Sequence, residues 1–159
     1  MKFEATLRAA KPDDIPGIIR LYAQTVLTVC RAEYATEQLH VWARLGRDPL
    51  RWEQRISNQF FLVAESGRSL VGFGSLSRDN YLDVFYVSKD HQRKGIANLL
   101  FSALLEKAML AGIPMMTADV SKTAKPFFEK KGFRVVEAQE NLIEEVVIVN
   151  FRMEKVLQG

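Results

Sequence analysis

Apolar residues recur at helical spacing over residues 15–30, which predicts an amphipathic helix with one face against a core. That face comprises Ile15, Ile18, Ile19, Tyr22, Val26, Val29 and Cys30. Pro12, Asp13 and Asp14 precede it, and a proline with acids is typical of a first helical turn. The pattern predicts further helices over residues 35–45, 49–58, 98–111 and 123–131.

Runs rich in β-branched and aromatic residues predict strands over residues 3–9, 60–65, 70–77, 81–87, 115–120, 133–138 and 143–154. We place one turn at residues 66–68 and the last turn at Glu140 and Asn141. A helix separates the fourth strand from the fifth, which implies parallel pairing through a right-handed crossover. The order predicts an α/β or α+β three-layer fold, in which helices flank a mixed sheet of about seven strands.

The composition narrows the class of protein. With 159 residues, 48% apolar and 26% charged, the chain is expected to form one domain over residues 1–159. No apolar run is long enough to span a membrane, and a single cysteine suits a reducing, cytoplasmic location. The net charge of +3 is spread along the chain without a dense basic run, so we expect neither a nucleic-acid nor a membrane partner.

The clearest candidate site is the loop His-Gln-Arg-Lys-Gly-Ile-Ala at residues 91–97, between the fourth strand and a helix. Backbone N–H groups at such a turn, together with the helix dipole, bind phosphate oxygens. Arg93 and Lys94 suit a doubly charged pyrophosphate. The loop matches neither the Walker nor the dinucleotide fingerprint. The pattern that it carries is Gln92-x-x-Gly95-x-Ala97.

A second segment, residues 118–133, contains a short predicted helix that ends at Gly132 and Phe133. With both segments, the chain resembles the GNAT N-acetyltransferase superfamily over nearly its whole length. It is most similar to small bacterial members of the YafP-like kind, which share the Tyr34, Gln38 and Trp42 spacing and residues 150–155. The resemblance implies a sheet splayed between its fourth and fifth strands. It also implies direct transfer of an acetyl group from acetyl-CoA to a primary amine.

By the same resemblance, the cofactor contacts two groups of residues. Strand and loop positions are Phe85, Val87, Gln92, Arg93, Lys94, Gly95, Ile96 and Ala97, and the second segment adds Ser121, Lys125 and Phe128. Many family members carry a tyrosine at the place of Phe128, where it protonates the departing thiolate. Phenylalanine has no proton to give, so water could serve, and Ser121 and Tyr86 are weaker candidates. A non-catalytic acyl-CoA sensor is the alternative function that this substitution favours.

Asp83 is the single acid in the apolar fourth strand. Simple alternation places it on the same face as Tyr81, Phe85 and Val87. Burial in a central strand would favour proton uptake by the carboxylate, as the general base of an amine acetylation requires. Alternatively, Asp83 is a carboxylate at the sheet rim that binds water or Arg78. A β-bulge in this strand would change the face that Asp83 occupies.

Tyr34, Gln38 and Trp42 lie four residues apart on one predicted helix face. They are either ordinary packing residues or the wall of an acceptor pocket for a small amine with an apolar or aromatic body. Cys30 is expected in the core. His40 and His91 lack the spacing of metal ligands, so no metal site is predicted. The sequence does not determine whether the protein forms a homodimer.

Overall fold

The protein forms a seven-stranded sheet in the strand order β1-β2-β3-β4-β5-β7-β6, and the computed structural model describes residues 4–157. The strands are β1 (Thr6–Ala9), β2 (Phe60–Ser66), β3 (Ser69–Leu76), β4 (Tyr81–Val87), β5 (Met115–Ser121), β6 (Arg134–Ile143) and β7 (Val146–Val156). The helices are α1 (Ile15–Val29), α2 (Thr36–Arg44), α3 (Pro49–Asn58), α4 (Ile96–Leu110) and α5 (Lys125–Lys130). Short 3-10 turns at Pro12–Asp14 and Cys30–Ala32 flank α1.

Strands β4 and β5 are parallel, whereas every other neighbouring pair is antiparallel. Their pairing is limited to Tyr81 with Thr117 and Leu82 with Ala118. Beyond Leu82 the two strands separate, although β4 continues to Val87 and β5 to Ser121. The structure therefore confirms the predicted mixed sheet and its splay between the fourth and fifth strands.

Two hydrophobic clusters cover opposite faces of the sheet. Helices α1, α2 and α3 contribute to one cluster, and α4 and α5 contribute to the other. Helix α4 approaches the sheet closely because β3 carries Gly72 and Gly74 beneath it. A Cβ on Gly72 would lie 3.0 Å from Ile96 Cγ2, and one on Gly74 would lie 3.0 Å from Leu104 Cδ1. These two glycines set the distance between α4 and the sheet, and thus the position of the loop that precedes α4.

Three sequence predictions about the elements need correction. The last turn does not lie at Glu140 and Asn141, which are inside β6; it lies at Glu144 and Glu145, whose φ angles are +49° and +67°. The apolar spacing of the helix over residues 98–111 predicts that Leu99 is buried, but its side chain is 39% exposed. Phe101 is buried instead, because aromatic rings of α5 and the residues after it pack on that side of α4. The first strand begins at Thr6, and residue 3 lies outside the described residues.

Candidate active site

The loop before α4 has the geometry of an anion-binding turn. Gly95 is the N-cap of α4 with φ +83°, and Arg93 also has a positive φ, +60°. Gln92 Nε2 donates to the carbonyl oxygens of Val87 (2.9 Å) and Ser88 (3.0 Å), so its side chain ties the loop to the end of β4. The N–H groups of the first turn of a helix have no intrahelical acceptor. These N–H groups are therefore available to bind a ligand at the end of the gap between β4 and β5.

The backbone of β4 also faces the splay. Ser88 N–H donates to Val71 O of β3 (2.9 Å), so the alternation of an antiparallel strand directs the backbone of Phe85 and Val87 away from β3. The carbonyl of Val87 accepts from Thr25 Oγ1 (3.1 Å) and from Gln92. Strand β5 offers no pairing at this level. An extended ligand could therefore pair with β4 as an added strand.

Asp83 is the extra residue of a β-bulge. In the register of β3 with β4, Ser75 opposes Val84 and Leu76 opposes Leu82, which leaves Asp83 without a partner. Asp83 bonds to Arg55 of α3, whereas Phe85 and Val87 pack in the cluster of α4 on the other face, so the predicted face shared with Phe85 and Val87 was wrong. A bulge inserts one residue and reverses the alternation after it.

The carboxylate of Asp83 is held by one of its two oxygens. Oδ2 accepts from Arg55 Nε (3.0 Å) and Gln59 Nε2 (2.9 Å), and Gln59 Oε1 in turn accepts from Ser75 Oγ (2.7 Å). The ion-pair partner is therefore Arg55 rather than Arg78. Oδ1 accepts no hydrogen bond from the residues that the structure describes. Asp83 thus presents a fixed carboxylate with one open oxygen.

A cavity of about 760 Å³ passes through the splay, a volume suited to a small-molecule site. The residues of its wall include Asp83, Asp119 and Glu140. Within residues 4–157, no Lys, Arg or His contributes to this wall. Although the whole chain carries a net charge of +3, the cavity is therefore lined by acids alone among its charged residues. Arg55 and Arg152, outside this wall, pair with Asp83 and Asp119, so the open Oδ1 of Asp83 is the acceptor that this wall offers to a cationic ligand group.

The structure brings together about half of the predicted cofactor residues at this cavity. Its wall contains Phe85, Val87, Gln92, Ala97, Ser121 and Phe128. Arg93, Lys94, Gly95 and Ile96 lie beside it in the loop and first turn of α4, and Lys125 pairs with Glu129 on α5 (3.5 Å). The side chain of Ile96 is buried in the core, so only its backbone could contact a ligand.

The second carboxylate, Asp119, differs from Asp83 because both of its oxygens are engaged. Oδ1 accepts from Gln139 Nε2 (2.8 Å) and Arg152 Nε (2.8 Å), and Oδ2 accepts from Tyr81 Oη (2.7 Å) and Arg152 Nη2 (3.2 Å). Burial opposes ionisation, but the hydrogen bonds from Tyr81, Gln139 and Arg152 outweigh it and lower the pKa of Asp119. Sequence reasoning missed this residue, since its partners are distant in the chain.

Three further residues at the cavity, Phe128, Tyr86 and Cys30, either have no ionisable proton or have a raised pKa. Phe128 is buried and packs edge-on against Phe85, with ring centroids 5.7 Å apart. Burial raises the pKa of Tyr86 well above its ordinary value, and the neighbouring Tyr22 adds to this. Burial also raises the pKa of the Cys30 thiol to about 11, so at neutral pH the thiol stays protonated.

Of the three predicted acceptor residues, two reach the cavity. Tyr34 and Trp42 form part of its wall, with their rings edge-to-face at 5.2 Å, and Gln38 lies outside it. The Tyr34 hydroxyl donates to Val149 O (2.6 Å), and Gln38 Nε2 donates to Val147 O (2.8 Å). These two side chains therefore attach the start of α2 to β7.

Comparison with known proteins identifies the class of this fold and site. The family described as acetyltransferase (GNAT) domain matches residues 30–157. The chain belongs to this family of acetyltransferases.

Individual relatives agree with that assignment. The chain is 29% identical over 148 residues to the uncharacterized N-acetyltransferase YafP of Escherichia coli K12, covering 92% of this chain and 93% of that one. A crystal structure of a GCN5-related N-acetyltransferase from Rhodopseudomonas palustris superposes with a TM-score of 0.92 at 27% identity, covering 99% of both chains. The PaiA N-acetyltransferase of Thermoplasma acidophilum, crystallised with coenzyme A, shares the fold at 19% identity, with a TM-score of 0.81 and coverage of 96% and 99%.

Proposed function

We propose that this acetyltransferase moves an acetyl group from acetyl-CoA to the primary amine of a small molecule. The observation that carries the amine assignment is the open Oδ1 of Asp83, a residue of the cavity wall, which contains no cationic residue among the described residues. A protonated amine can donate a hydrogen bond to this oxygen, whereas an anionic acceptor finds no cationic partner in the wall.

The residues around the splay fit acetyl-CoA. The N–H groups at Gly95 and the start of α4, with Arg93 and Lys94 beside them, would hold the pyrophosphate. The outward backbone groups of Phe85 and the N–H of Val87 would pair with the pantetheine arm, since the Val87 carbonyl already accepts from Thr25 and Gln92. An N–H of this strand would polarise the thioester carbonyl. Acetyl-CoA would supply its acetyl group as a thioester, which an unprotonated amine can attack directly.

We assign Asp83 the role of the general base that accepts a proton from the acceptor amine. Arg55 and Gln59 hold Oδ2, so the open Oδ1 has a fixed position at the cavity. There it would bind the ammonium of the acceptor and accept the proton that must leave before the nitrogen becomes nucleophilic. Asp119 is a poorer choice, because all its hydrogen-bond positions are taken within the sheet.

Neither Phe128 nor Tyr86, both in the cavity wall, is suited to protonate the leaving thiolate. Phe128 has no proton, and Tyr86, whose pKa lies far above that of a thiol, holds its proton too tightly. A thiolate is a tolerable leaving group, since thiol pKa values lie only about one to two units above neutrality. We therefore assign this last proton to water. The protonated thiol of Cys30 supports direct transfer without an acetyl-cysteine.

The test of this function combines binding and turnover. Gly95→Glu places a carboxylate and a side chain where phosphate would bind, and we expect acetyl-CoA affinity to fall at least about 100-fold by calorimetric titration. Gly112→Glu is the matched control, because Gly112 also has a positive φ (+74°) with open space around it and lies at the opposite end of α4. Thiol release with a panel of amines measures turnover. Equal affinity in both variants would reject the loop as the cofactor site.

A further inference from the structure

A continuous network of polar side chains crosses strands β4, β5, β7 and β6 at the wall of the cavity. Its members are Tyr81, Asp119, Gln139, Asn141, Asn150 and Arg152. It lies on the same sheet face as Ile148, which packs in the cluster of α1 and α2. The chemistry proposed above uses none of the three amides in this network.

The orientation of Asn150 follows from its neighbours. Gln139 Nε2 lies 2.8 Å from Asp119 Oδ1, and Asn141 Nδ2 lies 3.0 Å from Ile148 O. A carboxylate and a carbonyl only accept, so both of these amide groups must present nitrogen. The same two nitrogens lie 3.0 and 2.9 Å from one atom of Asn150, which must then be its oxygen. The amide nitrogen of Asn150 is therefore directed away from the network.

That nitrogen is an open hydrogen-bond donor. Asn150 Nδ2 has no hydrogen-bond acceptor among residues 4–157. In the same part of the chain, no buried side-chain nitrogen or oxygen is left unpaired, so Nδ2 must be accessible. Since Asn150 forms part of the cavity wall, the cavity is where a ligand could reach this donor.

We propose that Asn150 selects the acceptor substrate by donating a hydrogen bond to an uncharged oxygen, a carbonyl or a hydroxyl. This inference rests on the proposed function, in which Asp83 Oδ1 binds the amine of the same molecule. Asp83 and Asn150 lie on strands separated by β5, so their backbones are about 10 Å or more apart. The substrate would thus be an amine that bears its oxygen several bonds away.

The charge of the cavity excludes a carboxylate as that oxygen. Arg152, the cation of the network, is already paired with Asp119, and the cavity wall holds no other cation within the described residues that could pair with an acidic substrate. An amide or an alcohol accepts from Asn150 without needing such a partner. The substrate class is therefore amino amides and amino alcohols, in preference to amino acids and to plain alkylamines.

The first experiment uses the unmodified protein and two isosteric pairs of amines. The pairs are δ-aminovaleramide with δ-aminovalerate, and pentanolamine with hexylamine. Thiol release from acetyl-CoA gives kcat/KM for each. We expect the amide and the alcohol to be favoured by about tenfold or more over their partners, since an unmade hydrogen bond at a desolvated donor costs about that factor.

The second experiment removes the donor. Asn150→Leu keeps the approximate shape, and Gln139 and Asn141 each retain another acceptor, Asp119 and Ile148 O. We expect the preference for pentanolamine over hexylamine to vanish, because the ratio of their kcat/KM values falls to about one when the donor is removed. Gln24→Leu on the exposed side of α1 is the matched control and should keep the preference.

The outcomes separate the inference from the function on which it rests. If the unmodified protein acetylates both members of each pair equally well, the role of Asn150 is wrong and the amine acetyltransferase remains. The role of Asn150 is also wrong if Asn150→Leu, folded by circular dichroism, retains the preference. If acetyl-CoA binds but no amine is acetylated, the proposed function fails and the inference falls with it.

Discussion

Replacement of Asp83 by asparagine separates chemistry from stability at this site. The asparagine oxygen can still accept from Arg55 and Gln59, so the bulge and its contacts with α3 are retained. What is lost is the negative charge, and the open oxygen becomes an amide nitrogen that repels an ammonium. We expect kcat to fall by about 10²- to 10⁴-fold, the usual contribution of a positioned general base.

The stability cost of this change is small. The Arg55 and Asp83 side chains are 25% and 19% exposed, so the loss of the ion pair should lower the free energy of unfolding by only about 1 kcal/mol. Asp119→Asn is the contrasting variant. An amide cannot accept all four hydrogen bonds from Tyr81, Gln139 and Arg152, and we expect a loss of about 2–4 kcal/mol with a smaller effect on kcat.

The assay is thiol release with saturating acetyl-CoA, combined with calorimetric titration of acetyl-CoA and chemical denaturation of each variant. The deficit of Asp83→Asn should narrow as pH rises toward 10, because the free amine then loses its proton to solvent without help. Asp83 is not the general base if Asp83→Asn keeps kcat within about twofold of the unmodified protein. The same conclusion follows if Asp119→Asn slows turnover as strongly while its stability is unchanged.

Two further predictions concern stability. A Cβ at Gly46 would overlap the buried ring of Tyr22, so Gly46→Ala should lower the free energy of unfolding by about 1–3 kcal/mol. Gly17 on α1 has open space around it, so Gly17→Ala is the control and should not destabilise the protein. Equal effects of the two changes in urea denaturation would contradict this prediction. The hydrogen bonds from Arg8 lower the pKa of Asp14 in the folded protein. The stability that Asp14 contributes is therefore fully present above the pKa of an unfolded Asp, near 4, and is lost as the pH falls through the lower pKa of the folded state. Tm measured from pH 7 to pH 3 should fall less steeply in Asp14→Asn, and parallel curves would show that this pair does not set the acid limb.

Local sequence patterns were sufficient for most of the elements and for the loop to which we assign the cofactor phosphates. Helical periodicity located α1 and α3, and the bounds predicted for the third helix agree with Pro49–Asn58. The glycine and cations of residues 91–97 lie where a strand ends and a helix begins, and the structure has that arrangement. These features depend on neighbours within a few residues, so their spacing along the chain carries the information.

The tertiary structure alone decided which side-chain atoms are open at the splay. The bulge at Asp83 depends on the register between β3 and β4, and its partner Arg55 is 28 residues away in the chain. The open nitrogen of Asn150 depends on Gln139 and Asn141, which reach it across a strand pair. Register and side-chain direction arise from long-range packing, and a one-residue shift reverses every face of a strand. The sequence could therefore identify Asp83 as a candidate base, but only the folded sheet determines which of its two oxygens is open.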